Sequence, residues 1–148
     1  MKYIVFTLIV AVAVIIMFFA FNTKSKSYAV INGHSFDIEM AITDSQKSKG
    51  LAKYEKIPES FGMLFLFGKA DYYSFWMKNM KFPIDIIYIN DNKIVDIFKN
   101  VPNPKSKSEV PKTIKPSLPS DKVLEINAGL SDKYNFKRGD KITINPAP

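Results

Sequence analysis

The stretch Gly62 to Asn90, GMLFLFGKADYYSFWMKNMKFPIDIIYIN, limits the fold more than any other part of the chain. It holds the single tryptophan and three of the six methionines, in apolar runs broken by a Gly-Lys-Ala-Asp segment and a Lys-Phe-Pro step. Met63 to Phe67 is continuously apolar, as expected of a strand buried on both faces. Gly68 to Asp71 predicts a turn, and Tyr72 to Met80 a returning strand. Pro83 suits the first residue of the next strand, Ile84 to Ile89, where its missing N–H costs least. Asn90-Asp91-Asn92 predicts a turn and Lys93 to Val101 a further strand, so this part of the chain reads as an antiparallel meander.

The flanking sequence extends the same texture. Tyr28 to Ile31 reads as a strand, and Asn32-Gly33 is a hairpin signal because both residues tolerate positive φ. The returning strand alternates, with Phe36, Ile38, Met40 and Ile42 on one face and Ser35, Asp37, Glu39 and Ala41 on the other. That period of two predicts one buried and one wet face. Thr43-Asp44-Ser45 offers capping side chains for a short helix over Gln46 to Tyr54. From Pro102 to Asp121 five prolines stand among lysines and serines, excluding a helix or inner strand. A loop of that length in a compact domain is often functional. Lys122 to Asn127 and Lys141 to Ile144 complete the strands, with a turn of helix at Leu130 to Tyr134. The expected fold is mainly β: a compact antiparallel sandwich or barrel-like domain with one short helix.

The N-terminal 23 residues form a separate segment. Tyr3 to Phe21 is a run of 19 residues with only Thr7 polar and no charge. Crossing a bilayer takes about 20 apolar residues. Cleavable signals have a shorter apolar region, about 7–15 residues, and end on small side chains. Here Phe18-Phe19-Ala20-Phe21 ends the run on bulky ones. The segment reads as an uncleaved transmembrane anchor (a cleaved signal is the alternative), and residues 24–148 as one exported domain outside the cytoplasmic membrane, carrying the Pro/Lys-rich loop at 102–121.

Composition removes whole classes of chemistry. With no cysteine there is no thiol nucleophile, thiolate zinc site, iron–sulfur cluster or lipoprotein anchor. One histidine, His34, cannot supply a zinc site of two or three imidazoles. No phosphate-cradling glycine loop occurs, and no cofactor or metal is expected. Without Lys2 the chain keeps 20 of its 21 basic residues against 14 acidic ones. Those charges are scattered, so nucleic acid is not the expected partner; an envelope glycan, peptide or protein is.

A few residues stand out. Asp85 lies between Pro83-Ile84 and Ile86-Ile87-Tyr88-Ile89, where a carboxylate must be hydrogen-bonded or have a raised pKa. It either caps the loop Lys78 to Phe82 or meets a ligand. Glu125, between Leu124 and Ile126, raises the same question, although alternation can point it to solvent. Lys78-Asn79 interrupts an apolar run, as a turn former or as polar contacts beside Trp76 for a sugar or peptide. Met63, Met77 and Met80 offer soft sulfurs that suit cuprous ion. Core methionines, however, usually fill gaps, and residues 77 and 80 would point to opposite faces of a regular strand.

Gly62-Met-Leu-Phe65, Phe75-Trp-Met-Lys-Asn79, Pro83-Ile-Asp-Ile86, Val123-Leu-Glu-Ile-Asn-Ala-Gly129 and Gly139-Asp140 form an ordered set of motifs. Together they resemble the uncharacterised bacterial and archaeal family known as domain of unknown function 192, from Ile38 to Ile144. Gly50-Leu51 is similar to the start of that family's Gly-Leu-Met motif. The resemblance implies a compact, mainly β protein, often behind an export signal, with no assigned activity. The chain departs from the family pattern at Ala52, where Met is usual, at Tyr54, where Arg is usual, and at Met80, where Thr is usual.

These features predict a membrane-anchored exported domain that binds an envelope ligand rather than turning it over. Its expected surface comprises Met63, Trp76, Lys78, Asn79, Pro83, Asp85 and Glu125, with the proline-rich loop. One rival is an enzyme on envelope polymers using Asp85 and Glu125 as acid and base, which requires both carboxyls to face one cleft. The other is a structural or chaperone-like envelope protein.

Overall fold

A computed structural model describes residues 26–106 and 108–146. Nine strands and two short helices follow in the order β1 Tyr28–Ile31, β2 His34–Ala41, α1 Asp44–Lys49, β3 Phe61–Asp71, β4 Phe75–Trp76, β5 Ile84–Asn90, β6 Lys93–Val101, β7 Thr113–Ile114, β8 Ser120–Asn127, α2 Leu130–Lys133 and β9 Ile142–Asn145. A 3-10 turn, Gly50–Lys53, continues α1. The anchor expected at Tyr3 to Phe21 lies outside the described residues. Among those described, no helix is long and apolar enough to cross a membrane.

Local chemistry accounts for the turns. Asn32 and Gly33 both have positive φ, and Ile31 pairs directly with His34, as a two-residue hairpin requires. Asp91 and Asn92 turn β5 into β6 in the same way. Thr43 caps α1: its side chain accepts from the Gln46 backbone N–H while the Gln46 side chain accepts from the Thr43 N–H.

Seven strands form one mixed sheet in the order β6-β5-β8-β3-β2-β1-β9. Two expectations are corrected here. The sheet is not purely antiparallel, because β2 and β3 pair in parallel, Asp37 with Phe61 through Ala41 with Phe65. The crossover through α1 and the 3-10 turn permits this, since parallel neighbours need a long connection. Nor, among the described residues, do two large sheets stack. The large sheet curls until its ends meet: Lys93 bridges Lys141, and the Ile94 N–H donates to the Asp140 carbonyl at 2.9 Å.

The turn expected at Gly68 to Asp71 is instead the end of β3, held by pairing of Asp71 with Ser120. The returning strand is only Phe75–Trp76, which pairs with Ile114 and Thr113 in a second, two-stranded sheet. Strand pairing thus reaches into the proline-rich segment, at residues 113–114 between Pro111 and Pro116.

Curling divides the apolar side chains into two clusters. The inner one holds Phe36, Ile38, Leu64, Ile87, Ile89, Leu124, Ile126, Ile142 and Ile144, sealed by Leu130 and Phe136. The outer one lies on the other face, with Met63, Phe65, Ile86, Tyr88 and Val123 covered by Leu51, Ile57, Met77, Met80 and Ile114. The middle strands are therefore buried on both faces. Gly62 shows how closely β3 and β8 approach, since a Cβ there would lie 2.8 Å from the Glu125 carbonyl oxygen.

Candidate functional site

The outer cluster is covered by two separate pieces of chain, and grooves open between them. One piece is α1 with its 3-10 turn. The other is the bend from Phe75 to Met80, which ties to the proline-rich segment through β4–β7 pairing and a 2.9 Å bond from the Met77 N–H to the Lys112 carbonyl. Asn79 sits in this bend at φ 60°, in the left-handed region where Asn is tolerated. It is a turn former, and the same turn presents its side chain to the groove. The bend also buries both Met77 and Met80, so the opposite-face placement expected of a strand does not apply.

The bend leaves Trp76 55% exposed, and the Lys78 ammonium lies 4.8 Å from the indole centroid. Underneath, Phe75 stands edge-on to Phe65 at 4.8 Å and to Tyr88 at 5.9 Å. Such edge-to-face contacts fix the bend against the sheet while the indole faces outward.

Three recesses adjoin this tryptophan bend. A cleft of about 590 Å³ separates Lys78 to Lys81 from the Asn103 to Pro111 segment. A second, of about 380 Å³, lies between Ser48 to Lys53 and Trp76, Lys78 and Asn79. Lys78 and Asn79 line both, so the two meet along one ridge. A small recess of about 30 Å³ runs inward past Gly50, Phe65 and Met80 to Glu125.

Glu125 is 6% exposed, and its Oε2 has no hydrogen-bond partner among the described residues. Burial pushes its carboxyl up to about 8. The alternation that pointed it toward solvent holds, but α1 and the 3-10 turn cover that face. On the same sheet face, two strands away through Met63, lies Glu39. Burial alone would raise the Glu39 carboxyl, but it accepts from Lys53 and from the Tyr54 hydroxyl, and these contacts hold it below the usual value.

Gly50 makes room for the inward recess. Its φ of 49° with ψ −147° is a conformation open essentially only to glycine, and a Cβ there would meet Phe65 at 3.4 Å and Glu125 Oε2 at 3.9 Å. Gly50→Ala is expected to cost about 1–3 kcal/mol, read as a lowered urea midpoint. A cost below about 0.5 kcal/mol would show that the backbone relaxes without strain.

Of the residues singled out from sequence, Trp76, Lys78, Asn79 and Glu125 come together here. Met63 is buried beneath them. Pro83 is exposed, lines none of the three recesses, and accepts at 3.4 Å from the Ala128 N–H. Asp85 is fully buried on the inner face, where it accepts from the backbone N–H groups of Asn100 at 2.8 Å, Gly129 at 3.1 Å and Ser131 at 2.8 Å. The expected capping role holds, but the capped segments are the end of β6 and the start of α2 rather than Lys78 to Phe82. Register also separates the two carboxyls proposed as acid and base. Asp85 pairs with Ile126 and Glu125 with Ile86, so their side chains leave opposite faces of the sheet.

Sequence reasoning missed Gly50 as the opening over Glu125, and missed the Asp96 network. Asp96 is buried and accepts from the Ser117 N–H and hydroxyl, both at 2.8 Å, and from Arg138. Burial works to raise its carboxyl, and those three contacts more than offset it, leaving the group below its ordinary value. They also tie the proline-rich segment to β6.

Two solved structures share the fold. A Novosphingobium aromaticivorans protein of unknown function is 32% identical, with 78% of this chain and 83% of that one covered and a TM-score of 0.69. A Sinorhizobium meliloti protein described as a candidate transcription regulator is 30% identical, with 79% and 92% covered and the same TM-score. No curated protein matches. The model of the family described as "Uncharacterized ACR", domain of unknown function 192, matches residues 27–144. The chain belongs to that uncharacterised family.

Proposed function

We propose that this is a membrane-anchored, exported binding domain whose ligand, a glycan or peptide of the cell envelope, lies along Trp76, Lys78 and Asn79. The observation that carries the reading is the groove itself. An exposed indole lines a cleft of about 380 Å³ that shares Lys78 and Asn79 with a neighbouring cleft of about 590 Å³, both within the size of small-ligand sites, about 300–1,000 Å³. An indole supplies a flat apolar face, and Lys78 and Asn79 supply directed polar contacts. The groove counts against a purely structural role, and the separation of Asp85 from Glu125 counts against that pair as acid and base. Anchoring and export rest on the apolar run Tyr3 to Phe21; retention in membranes after alkaline carbonate extraction tests them.

Trp76 is the only tryptophan, so the emission of the whole protein in detergent reports this groove directly. Titration with envelope glycan fragments and short peptides is expected to change that emission and to raise the melting temperature. Saturation at 100 times the dissociation constant adds about 2.7 kcal/mol, about 4 °C or more. Trp76→Ala is expected to leave stability within about 0.5 kcal/mol, as at other surface positions. It should weaken the ligand about 30-fold, the equivalent of about 2 kcal/mol at an aromatic anchor. An unchanged affinity in Trp76→Ala would place the ligand elsewhere.

A further inference from the structure

The recess that ends at Glu125 contains a group that the fold does not need. The other two fully or nearly buried carboxylates are satisfied: Asp85 by three backbone N–H groups, Asp96 by Ser117 and Arg138. Glu125 sits in the middle of β8 with apolar residues on either side, and its Oε2 is left without a partner. An apolar residue would fill this position in the outer cluster at lower cost. The recess of about 30 Å³ admits one water or the tip of a larger molecule.

The charged groups around it are of one sign. Lys47 and Lys49 line it from α1, and Lys78 from the tryptophan bend. Lys47 lies over the Phe67 ring and Lys78 over Trp76, each at 4.8 Å; among the described residues none of the three forms an ion pair. Farther along the same sheet face, Glu39 is held by Lys53 and the Tyr54 hydroxyl, and Asp96, paired with Tyr88, is held by Ser117 and Arg138. Tyr88 of β5 is raised by burial first and then by the Glu125 and Asp96 charges, so it stays a neutral phenol. A cationic ligand tip would meet three ammonium groups. A neutral one would make no use of them.

We propose that Glu125 and these lysines form a carboxylate-receiving subsite: the Glu125 carboxylic acid donates its O–H to a ligand carboxylate seated in the recess, while the ligand's body lies along Trp76. The inference rests on the binding function proposed above and gives its ligand a chemistry. A single proton lies between the two carboxyls, and the remaining negative charge is balanced by Lys47, Lys49 and Lys78. An ordinary carboxylate is ionised above about pH 4, whereas burial keeps Glu125 protonated up to about 8. Binding is therefore strongest between those limits. Above the upper one, two like charges meet in a low-dielectric recess and the affinity falls. Sugar acids and peptide C-termini both present such a carboxylate.

The test follows Trp76 emission of the full chain at pH 6.5 and pH 9, with circular dichroism confirming the fold at each. Probes are glucuronate against glucose, and N-acetyl-dialanine against its C-terminal amide. At least one acidic probe is expected to bind at pH 6.5 in preference to its neutral counterpart, and to weaken about tenfold at pH 9, the proton-linked loss for one unit above the titration. Which acid binds identifies the source. Glu125→Gln keeps an N–H donor and cannot ionise, so its affinity is expected to be equal at the two pH values. Equal affinity of the wild type at both, or the same fall in Glu125→Gln, overturns the proposal and leaves Glu125 holding a water. A response to the neutral probes alone overturns the subsite while keeping the binding function. Silence from all four overturns both.

Discussion

Asp85→Ala is expected to lower the stability of the domain by about 3–5 kcal/mol, the largest loss expected from any single side chain of the site or its supports. Asp85 is fully buried, and its two oxygens accept from the N–H groups of Asn100, Gly129 and Ser131. Each donor left unsatisfied costs about 1–3 kcal/mol. Alanine strands all three and leaves a void on the inner face. A typical domain has only about 5–15 kcal/mol in total, so the variant is expected to be partly unfolded at 37 °C. Asp85→Asn keeps the shape and one acceptor oxygen but turns an NH2 toward a backbone donor, and its expected loss is smaller, about 2 kcal/mol. Urea midpoints measure both. Because Asp85 lies across the sheet from Trp76, folded Asp85→Asn is expected to bind groove ligands as the wild type does. A loss below about 1 kcal/mol in Asp85→Ala would show that water replaces the carboxylate.

The second large effect is a dependence of stability on pH that runs opposite to ordinary acid denaturation. Burial raises the Glu125 carboxyl from 4.5 to about 8 in the folded chain. Between those values the folded state holds a proton that the unfolded chain has released, so stability falls as pH rises and levels off above about 8. Its contribution is fully present below pH 4.5 and lost on passing through 8. At about 1.36 kcal/mol per unit, the loss across this window is on the order of 3–5 kcal/mol. Glu39 and Asp96 are shifted the other way. What they contribute is present above their ordinary values and lost only as pH falls below about 4, outside the Glu125 window. Glu125→Gln is expected to flatten the slope between pH 5 and 8 and to be the more stable protein at pH 8.5. Urea midpoints at pH 5, 6.5 and 8.5 decide it. A wild type equally stable at all three, or a Glu125→Gln with the same slope, would show that Glu125 is solvated or paired.

Features set by neighbouring residues were legible in the chain. Asn32-Gly33 and Asp91-Asn92 each make a tight hairpin because only the residues at the turn decide whether positive φ is tolerated. Thr43 and Gln46 cap α1 within a single turn. The all-apolar Met63 to Phe67 run reads as a strand buried on both faces, and burial is complete from Met63 to Phe65. Trp76, Lys78 and Asn79 stand out as a polar interruption of apolar sequence, and they do meet at the groove.

What failed depended on partners far along the chain. Gly68 to Asp71 has turn composition, but pairing of Asp71 with Ser120 extends β3 through it. The parallel pairing of β2 with β3 follows from where α1 packs, which local patterning does not specify. Asp85 finds its donors 15, 44 and 46 residues away, so the chain showed the need for a cap without showing its location. Glu125 has the alternation of a solvent-facing residue, and only the α1 crossover with its glycine at position 50 places a cover over it. Propensity and period are local, so a β-rich domain, its tight hairpin turns and the polar interruption at Lys78-Asn79 can be read from the order of residues. The mixed, curled sheet, the sorting of carboxylates between its two faces and the covered recess at Glu125 cannot. They depend on strand register and on packing between segments distant in the chain.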